Sequence, residues 1–173
     1  MLAFFPCVHF CDAKTLFFQG VHLNQKQWTL DEIMKNNIKY AEEREYFYKT
    51  LLKMVYISSL NNIRMIIENP YNTSRGTYLQ CNFIKPTIID RNRCLRGDYY
   101  TKPTAYWYIN CIPTFGKSYQ NDKEKKIIMK AKGCSKAGIC SEERSMISPD
   151  YARNFICDFV IGKEQQGTQL SMF

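Results

Sequence analysis

The distribution of apolar and polar residues along the first part of the chain predicts two buried strands separated by one long helix. The first strand is the apolar run LAFFPCV at 2–8, and the second is the β-branched run IRMIIENP at 63–70. From Leu30 to about Leu60, apolar residues recur at helical spacing with charged residues between them. The pattern therefore predicts a strand, a long crossover helix and a second strand.

Both ends of this helix carry sequence signals. Thr29 begins the stretch TLDE, in which the Thr29 hydroxyl caps the helix and Glu32 reaches back to the Thr29 amide. Asn61 and Asn62 tolerate the left-handed conformation that ends helices, while a break near Asn36 is an open alternative. Strand, helix and strand make a βαβ unit with a parallel strand pair, so the carboxyl ends of both strands should border one crevice.

The later part of the chain predicts shorter elements. We expect short strands at 78–84 and 87–89, a longer strand at 105–111, and a last amphipathic helix at 151–161 behind Ser148. These elements predict an α/β fold with a mixed sheet, in a single domain over 1–162 that is followed by a polar tail at 163–173.

Charge changes the picture of what this domain binds. The 173 residues include 24 Lys and Arg against 16 Asp and Glu, a net charge of +8 that favours polyanions or acidic protein surfaces as partners. One basic cluster falls in a predicted loop at about 116–136, and the other lies near 91–96. The clustered residues are Lys123, Lys125, Lys126, Lys130 and Lys132, and Arg91, Arg93 and Arg96. Such runs are typical of phosphate contacts and equally typical of a solvated surface.

Aromatic residues offer a second potential contact with nucleic acid. Tyr99, Tyr100, Tyr106, Trp107 and Tyr108 surround one predicted strand and could stack on bases. Alternation of core and surface positions along a strand is the favoured interpretation.

The eight cysteines are scattered without a CxxC pair and without a secretory signal before them, which indicates reduced thiols in a cytoplasm. Cys7, His9 and Cys11 have no second pair to complete four zinc ligands, so we expect no metal. No apolar stretch approaches the ~20 residues that span a bilayer, so we expect no membrane association.

The two predicted strands both end in residues that carry chemistry. Pro6-Cys7 ends the first strand, and Glu68-Asn69 precedes Pro70 at the end of the second. A thiolate that adds to the six position of a pyrimidine, with an acid that protonates a ring nitrogen, makes the five position nucleophilic. A thiol and a carboxylate in one crevice suit this reaction.

Five segments in order make the chain resemble the phage-type relatives of DNA cytosine-5 methyltransferases. They are LAFFPC, AEEREYFYKTLL, IIENP, GDYYTKPTAYW and ERSMISPDYARNF, and they extend over nearly the whole chain. The resemblance implies a Rossmann-type methyltransferase fold in which Cys7 is the nucleophile, Glu68 the acid, and Asn69 shapes the loop. The positions that match later motifs of the family are Lys102, Thr104, Trp107, Arg144 and Ser145.

The chain also departs from the family pattern. The family binds S-adenosylmethionine with a first strand and a glycine-rich turn, but this sequence begins where the family's second half begins and has no GxG. Phe5 and Val8 stand where the family commonly has proline and threonine. We therefore expect a truncated methyltransferase-like domain without a cofactor.

Three functions are compatible with these residues. The favoured one is a catalytically inactive, methyltransferase-like binding protein, encoded by a phage or mobile element, that acts in the host cytoplasm on DNA or on a DNA-acting defence machine, for example as an inhibitor of a CRISPR nuclease. The alternatives are a cytosine-5 methyltransferase component that uses Cys7 and Glu68 with the cofactor half supplied in trans, and a general DNA-binding accessory protein. A homodimer is one expected way to cover the sheet edge that the family's first strands occupy.

Overall fold

The computed structural model describes residues 1–4, 7–11, 13–74, 76–114 and 146–161. The lysine-rich loop at 116–136, Arg144-Ser145, Phe5, Pro6 and the tail at 163–173 lie outside these residues. The chain divides into a first unit, Met1–Asp90 with Pro103–Ile112, and a second unit, Arg91–Lys102 with Pro113–Phe173. The predicted single domain over 1–162 stays a prediction.

The first unit is built on a four-stranded mixed sheet with the strand order β1-β2-β4-β3. The strands are β1 (Leu2–Phe4), β2 (Met65–Pro70), β3 (Ile88–Asp90) and β4 (Thr104–Ile109). β1 pairs with β2 in parallel, whereas β4 is antiparallel to both β2 and β3. The predicted α/β class and the parallel pair are confirmed.

The connection between the parallel strands includes the predicted long helix, α3 (Leu30–Leu60), which is 31 residues long and has no break at Asn36. The Thr29 amide donates to Glu32 Oε2 at 2.7 Å, and the Glu32 amide donates to Thr29 Oγ1 at 3.3 Å. The predicted capping box is thus confirmed, and so is the helix end, because Asn62 has a φ of 52°.

The core of the first unit lies on one face of the sheet. Side chains alternate along a strand, so Met65, Ile67 and Asn69 share a face, and Ile66 and Glu68 lie on the other. The buried apolar side chains of the core are Ala3, Phe10, Leu51, Met65, Ile67, Leu79, Ala105, Trp107 and Ile109. Leu51 is the contribution of α3 to this cluster, so the inner face of α3 packs on the sheet.

Two predicted strands are wrong in part. The opening strand ends at Phe4, and Cys7–Phe10 forms a short helix, α1, followed by α2 (Ala13–Phe18). The segment predicted as a strand at 78–84 is the helix α4 (Tyr78–Asn82). Thr77 and Gln80 form a capping box there, a local signal that outweighs the apolar pattern.

The second unit contains the 3₁₀ turn Arg93–Arg96 and the helix α5 (Pro149–Phe155), which continues as a π-helix over Ile156–Ile161. Ser148 caps α5 as predicted, because its Oγ accepts from the Tyr151 amide at 3.1 Å. The same hydroxyl donates to the Gly97 carbonyl at 2.7 Å, which ties the start of α5 to the 3₁₀ turn.

Candidate functional site

The carboxyl ends of β1 and β2 form the edge of the sheet where the sequence placed the chemistry. Phe4, the last residue of β1, is in register with Glu68 of β2. Cys7 follows three residues after Phe4, and Asn69 follows directly after Glu68. We call Cys7, Glu68, Asn69 and Pro70 the β1–β2 edge. The predicted parallel pairing is confirmed, and it places the end of β1 beside Glu68; a shared site for Cys7 and Glu68 stays a prediction.

Cys7 is an exposed free thiol at the first residue of α1. The rest of α1 is held in place: Phe10 is fully buried in the core, and the His9 ring stacks on Phe47 of α3 with centroids 4.7 Å apart. His9 Nδ1 also lies 3.8 Å from Glu43 Oε2. His9 and Phe10 anchor α1, and the Cys7 thiol is accessible at its first residue.

Glu68 is half-buried and lies on the sheet face opposite the α3 core. Its register partner on β4 is Tyr106, which is almost completely buried. Directly paired residues of antiparallel strands point to the same face, so the Glu68 carboxyl and the Tyr106 ring are cross-strand neighbours.

Asn69 is the most unusual residue of the β1–β2 edge. Its side chain is fully buried, and neither Oδ1 nor Nδ2 has a hydrogen-bond partner among the described residues. An unsatisfied buried amide costs about 1–3 kcal/mol of stability, and such groups in native proteins call for an explanation. The Glu-Asn-Pro motif marks Asn69 in the sequence, whereas its burial depends on the fold.

Two short helices, α2 and α4, are fastened to the middle of α3. The Arg44 guanidinium lies between the rings of Phe18 on α2 and Tyr78 on α4, at 4.7 and 4.4 Å from their centroids. The Tyr48 hydroxyl donates to the Asn82 carbonyl at the end of α4. Burial, then the neighbouring Tyr78 and Glu45, raises the pKa of Tyr48. These contacts were not predicted, because no motif marks residues that only fasten helices together.

The predicted arginine cluster requires a correction. Arg93 is buried, with its Nη2 at 2.5 Å from Asp98 Oδ2 and its guanidinium 4.1 Å from the Tyr151 ring centroid. Arg96 is mostly buried and lies 3.5 Å from Asp158 Oδ2. Arg91 is exposed. Arg93 and Arg96 therefore hold the second unit together instead of forming a basic surface.

The aromatic residues proposed for stacking are mainly interior. Tyr100, Tyr106 and Trp107 are buried, and Trp107 Nε1 donates to the Ile84 carbonyl at 2.6 Å. Tyr99 is exposed, and Tyr108 is half-buried with its hydroxyl unpartnered among the described residues. Burial, and then the neighbouring Cys111, raises the pKa of Tyr108 well above its usual range. The favoured core interpretation holds for Tyr100, Tyr106 and Trp107.

The remaining predicted binding residues, Lys123, Lys125, Lys126, Lys130 and Lys132, lie outside the described residues. Within the described part, no three His, Cys, Asp or Glu side chains come together as a metal site. None of the described cysteines, Cys7 and Cys11 among them, is in a disulfide bond.

No protein-family model matches the chain, and neither does any curated protein or solved structure. Among the described residues, no helix combines the length and apolar character needed to cross a membrane. The β1–β2 edge is the best candidate for a functional site, because the exposed Cys7 thiol follows a strand whose last residue is in register with Glu68.

Proposed function

We propose that the β1–β2 edge binds a cytosine base of DNA and that the chain is the catalytic half of a Rossmann-type, cytosine-5 methyltransferase-like protein. One observation carries this proposal: the exposed thiol of Cys7 follows a strand whose last residue is in register with Glu68. The resemblance of the Pro-Cys and Glu-Asn-Pro segments to that family supports the same assignment.

In this proposal Cys7 acts as the nucleophile and Glu68 as the acid in a single addition step. The Cys7 thiolate forms a bond to C6 of cytosine while Glu68 gives its proton to ring N3, and the electron pair of the C5–C6 double bond moves toward C5 and the protonated ring. C5 then takes a proton from water, and the hydroxide so formed removes the original C5 hydrogen as a proton. The C5–C6 double bond re-forms as the Cys7 thiolate leaves and N3 returns its proton to Glu68. The net result is exchange of the C5 hydrogen with solvent.

S-adenosylmethionine does not fit the residues at hand. A glycine-rich turn after a strand normally holds such a cofactor. The residues that follow the four strands here are Phe5, Tyr71, Arg91 and Asn110, and the sequence has no GxG. We derive no methyl-transfer step for this chain. In the proposal, the donor half comes from another polypeptide.

The experiment is release of tritium from DNA that contains [5-³H]cytosine, with the purified chain and no methyl donor. Wild type should release tritium into water, and Cys7→Ser and Glu68→Gln should each lower the rate by at least about 100-fold. Cys81→Ser is the matched control, because Cys81 is also an exposed free cysteine and lies on α4. Equal rates in wild type and Cys7→Ser would contradict the proposal.

A second candidate is the catalytically inactive binding protein, which acts on DNA or on a DNA-acting defence machine such as a CRISPR nuclease; a general DNA-binding accessory protein is its simplest form. The net charge of +8 together with the poor fit to a methyl donor favours it. It predicts DNA affinity that falls steeply with salt and is unchanged in Cys7→Ser, without tritium release. Salt-insensitive binding would count against this candidate.

A further inference from the structure

The outer face of α3 carries a row of exposed, large apolar side chains. Their exposed fractions run from 41% to 73%. They are Leu30, Met34, Ile38, Leu52, Tyr56 and Leu60, and we call them the outer stripe. At 100° per residue they fall within about one third of the helix circumference, opposite the face on which Leu51 and Ser58 are buried. Exposed Glu42, Glu45 and Lys49 separate the two ends of the stripe, each of which carries three apolar side chains. Exposed apolar clusters of this kind mark interaction surfaces.

The spacing of the outer stripe is symmetric about Glu45. Leu30 and Leu60 lie fifteen residues before and after Glu45, Met34 and Tyr56 lie eleven, and Ile38 and Leu52 lie seven. When two copies of α3 are laid antiparallel about a two-fold axis at Glu45, each residue meets its counterpart: Leu30 with Leu60, Met34 with Tyr56, and Ile38 with Leu52. A self-complementary patch is what an isologous dimer requires, whereas an unrelated partner has no need of this symmetry.

Two charged residues occupy the centre of the stripe, where Glu45 of each copy faces Glu45 of the other and Lys49 lies one turn away. Lys49 Nζ lies 3.3 Å from Glu45 Oε1 within one helix, and both side chains are exposed. In the antiparallel arrangement, each Glu45 lies within about one turn of Lys49 of the second copy, and each Lys49 lies opposite the small residue Ala41. The two ion pairs can therefore be shared across the axis.

We propose that two copies of this chain associate through the outer stripe, with their α3 helices antiparallel about a two-fold axis at Glu45. This surface differs from the sheet edge at which sequence analysis placed a homodimer. The inference is independent of the chemistry at the β1–β2 edge.

The test is sedimentation equilibrium of the purified chain over a range of concentrations. Wild type should show a monomer–dimer equilibrium, and Ile38→Glu should raise the dimer dissociation constant by about 30-fold or more, because each substitution occurs twice in a symmetric interface. Ile57→Glu is the matched control: Ile57 is 52% exposed on the same helix but lies off the stripe. Circular dichroism checks that both variants keep their helix content.

A charge exchange tests the axis itself. Glu45→Lys should raise the dissociation constant by about threefold to tenfold, because it places only positive charges at the axis, and the double variant with Lys49→Glu should restore it. A chain that stays monomeric at all concentrations, or equal weakening by Ile38→Glu and Ile57→Glu, would overturn the proposal. A stripe that binds only a different protein would overturn it as well.

Discussion

The two units fill their interiors with different chemistry. The described core of the first unit is a cluster of apolar side chains around Trp107. In the described part of the second unit, Arg93 lies against Asp98 and Arg96 lies against Asp158. The Arg93 guanidinium also lies over the buried Tyr151 ring and that of Arg96 over the buried Phe159 ring, so charged and aromatic side chains are buried together there.

This difference teaches how to count the charge of a basic protein. The two charges of a buried ion pair largely cancel, so the pair contributes little to the electrostatic field that a ligand meets. Arg93 and Arg96 look like a basic patch in sequence, yet each lies against a carboxylate. A net charge of +8 therefore does not show where the protein presents positive charge.

The largest effect is expected from breaking the apolar interior. Trp107→Ala should lower the free energy of unfolding by about 3–5 kcal/mol, because it leaves a cavity and an unpaired Ile84 carbonyl. Urea denaturation measures the loss. The control is Trp28→Ala, since Trp28 is exposed. A loss below about 1 kcal/mol for Trp107→Ala would contradict the assignment of Trp107 to the core.

Breaking the ionic interior should have the next largest effect. Asp98→Asn leaves the Arg93 guanidinium buried without its counter-charge, and we expect a loss of about 3 kcal/mol. Hydrogen exchange should show faster exchange at Arg93–Arg96 and α5 than in wild type. Asp31→Asn breaks the exposed pair with Lys35 and should change stability by less than about 0.5 kcal/mol. Equal losses of stability in Asp98→Asn and Asp31→Asn would contradict the expectation that the buried ion pair matters more than the exposed one.

A smaller effect should appear at alkaline pH. The pKa of Tyr108 is raised in the folded protein, so above pH about 10 the unfolded chain loses this proton first and the free energy of unfolding falls as pH rises. Because Tyr108 is only half-buried, the fall should stay below about 1 kcal/mol per pH unit. Tyr108→Phe should show a shallower fall between pH 9 and 11, measured against Tyr56→Phe as the exposed control.

The smallest stability effect should have the opposite sign. Asn69→Val removes a buried amide that has no partner among the described residues, and should raise the free energy of unfolding by about 1 kcal/mol. In the proposed function the same change should lower tritium release, because Asn69 adjoins Glu68 in β2. Greater stability with unchanged release would show that Asn69 has no role at the β1–β2 edge.

Elements with strong local signals were predictable from sequence. The Thr29 capping box, the end of α3 at Asn62, the β-branched strand before Pro70 and the Ser148 cap each depend on neighbouring residues, and the structure reproduces them. The helix at Tyr78 was predictable in principle from the capping box of Thr77 with Gln80. Its aromatic and apolar residues suggested a strand instead.

Long-range contacts were not predictable in the same way. The burial of Arg93 depends on Asp98 and Tyr151, and nothing in the local sequence distinguishes it from the exposed Arg91. For the candidate site, motif order predicted two neighbouring parallel strands, and Phe4 of β1 is in register with Glu68 of β2. The sequence did not predict the short helix that begins at Cys7, nor the burial of the Asn69 amide.

The three-residue strand β1 has a consequence for the order of folding. Its register joins Leu2 to Ile66 and Phe4 to Glu68 across the whole length of α3, whereas α3 itself forms from contacts one turn apart. Contacts with a large sequence separation require costly loop closure and tend to form late. The segment that carries Cys7 should therefore join the sheet among the last steps of folding, and a short strand joined late is also among the first to detach in the native state.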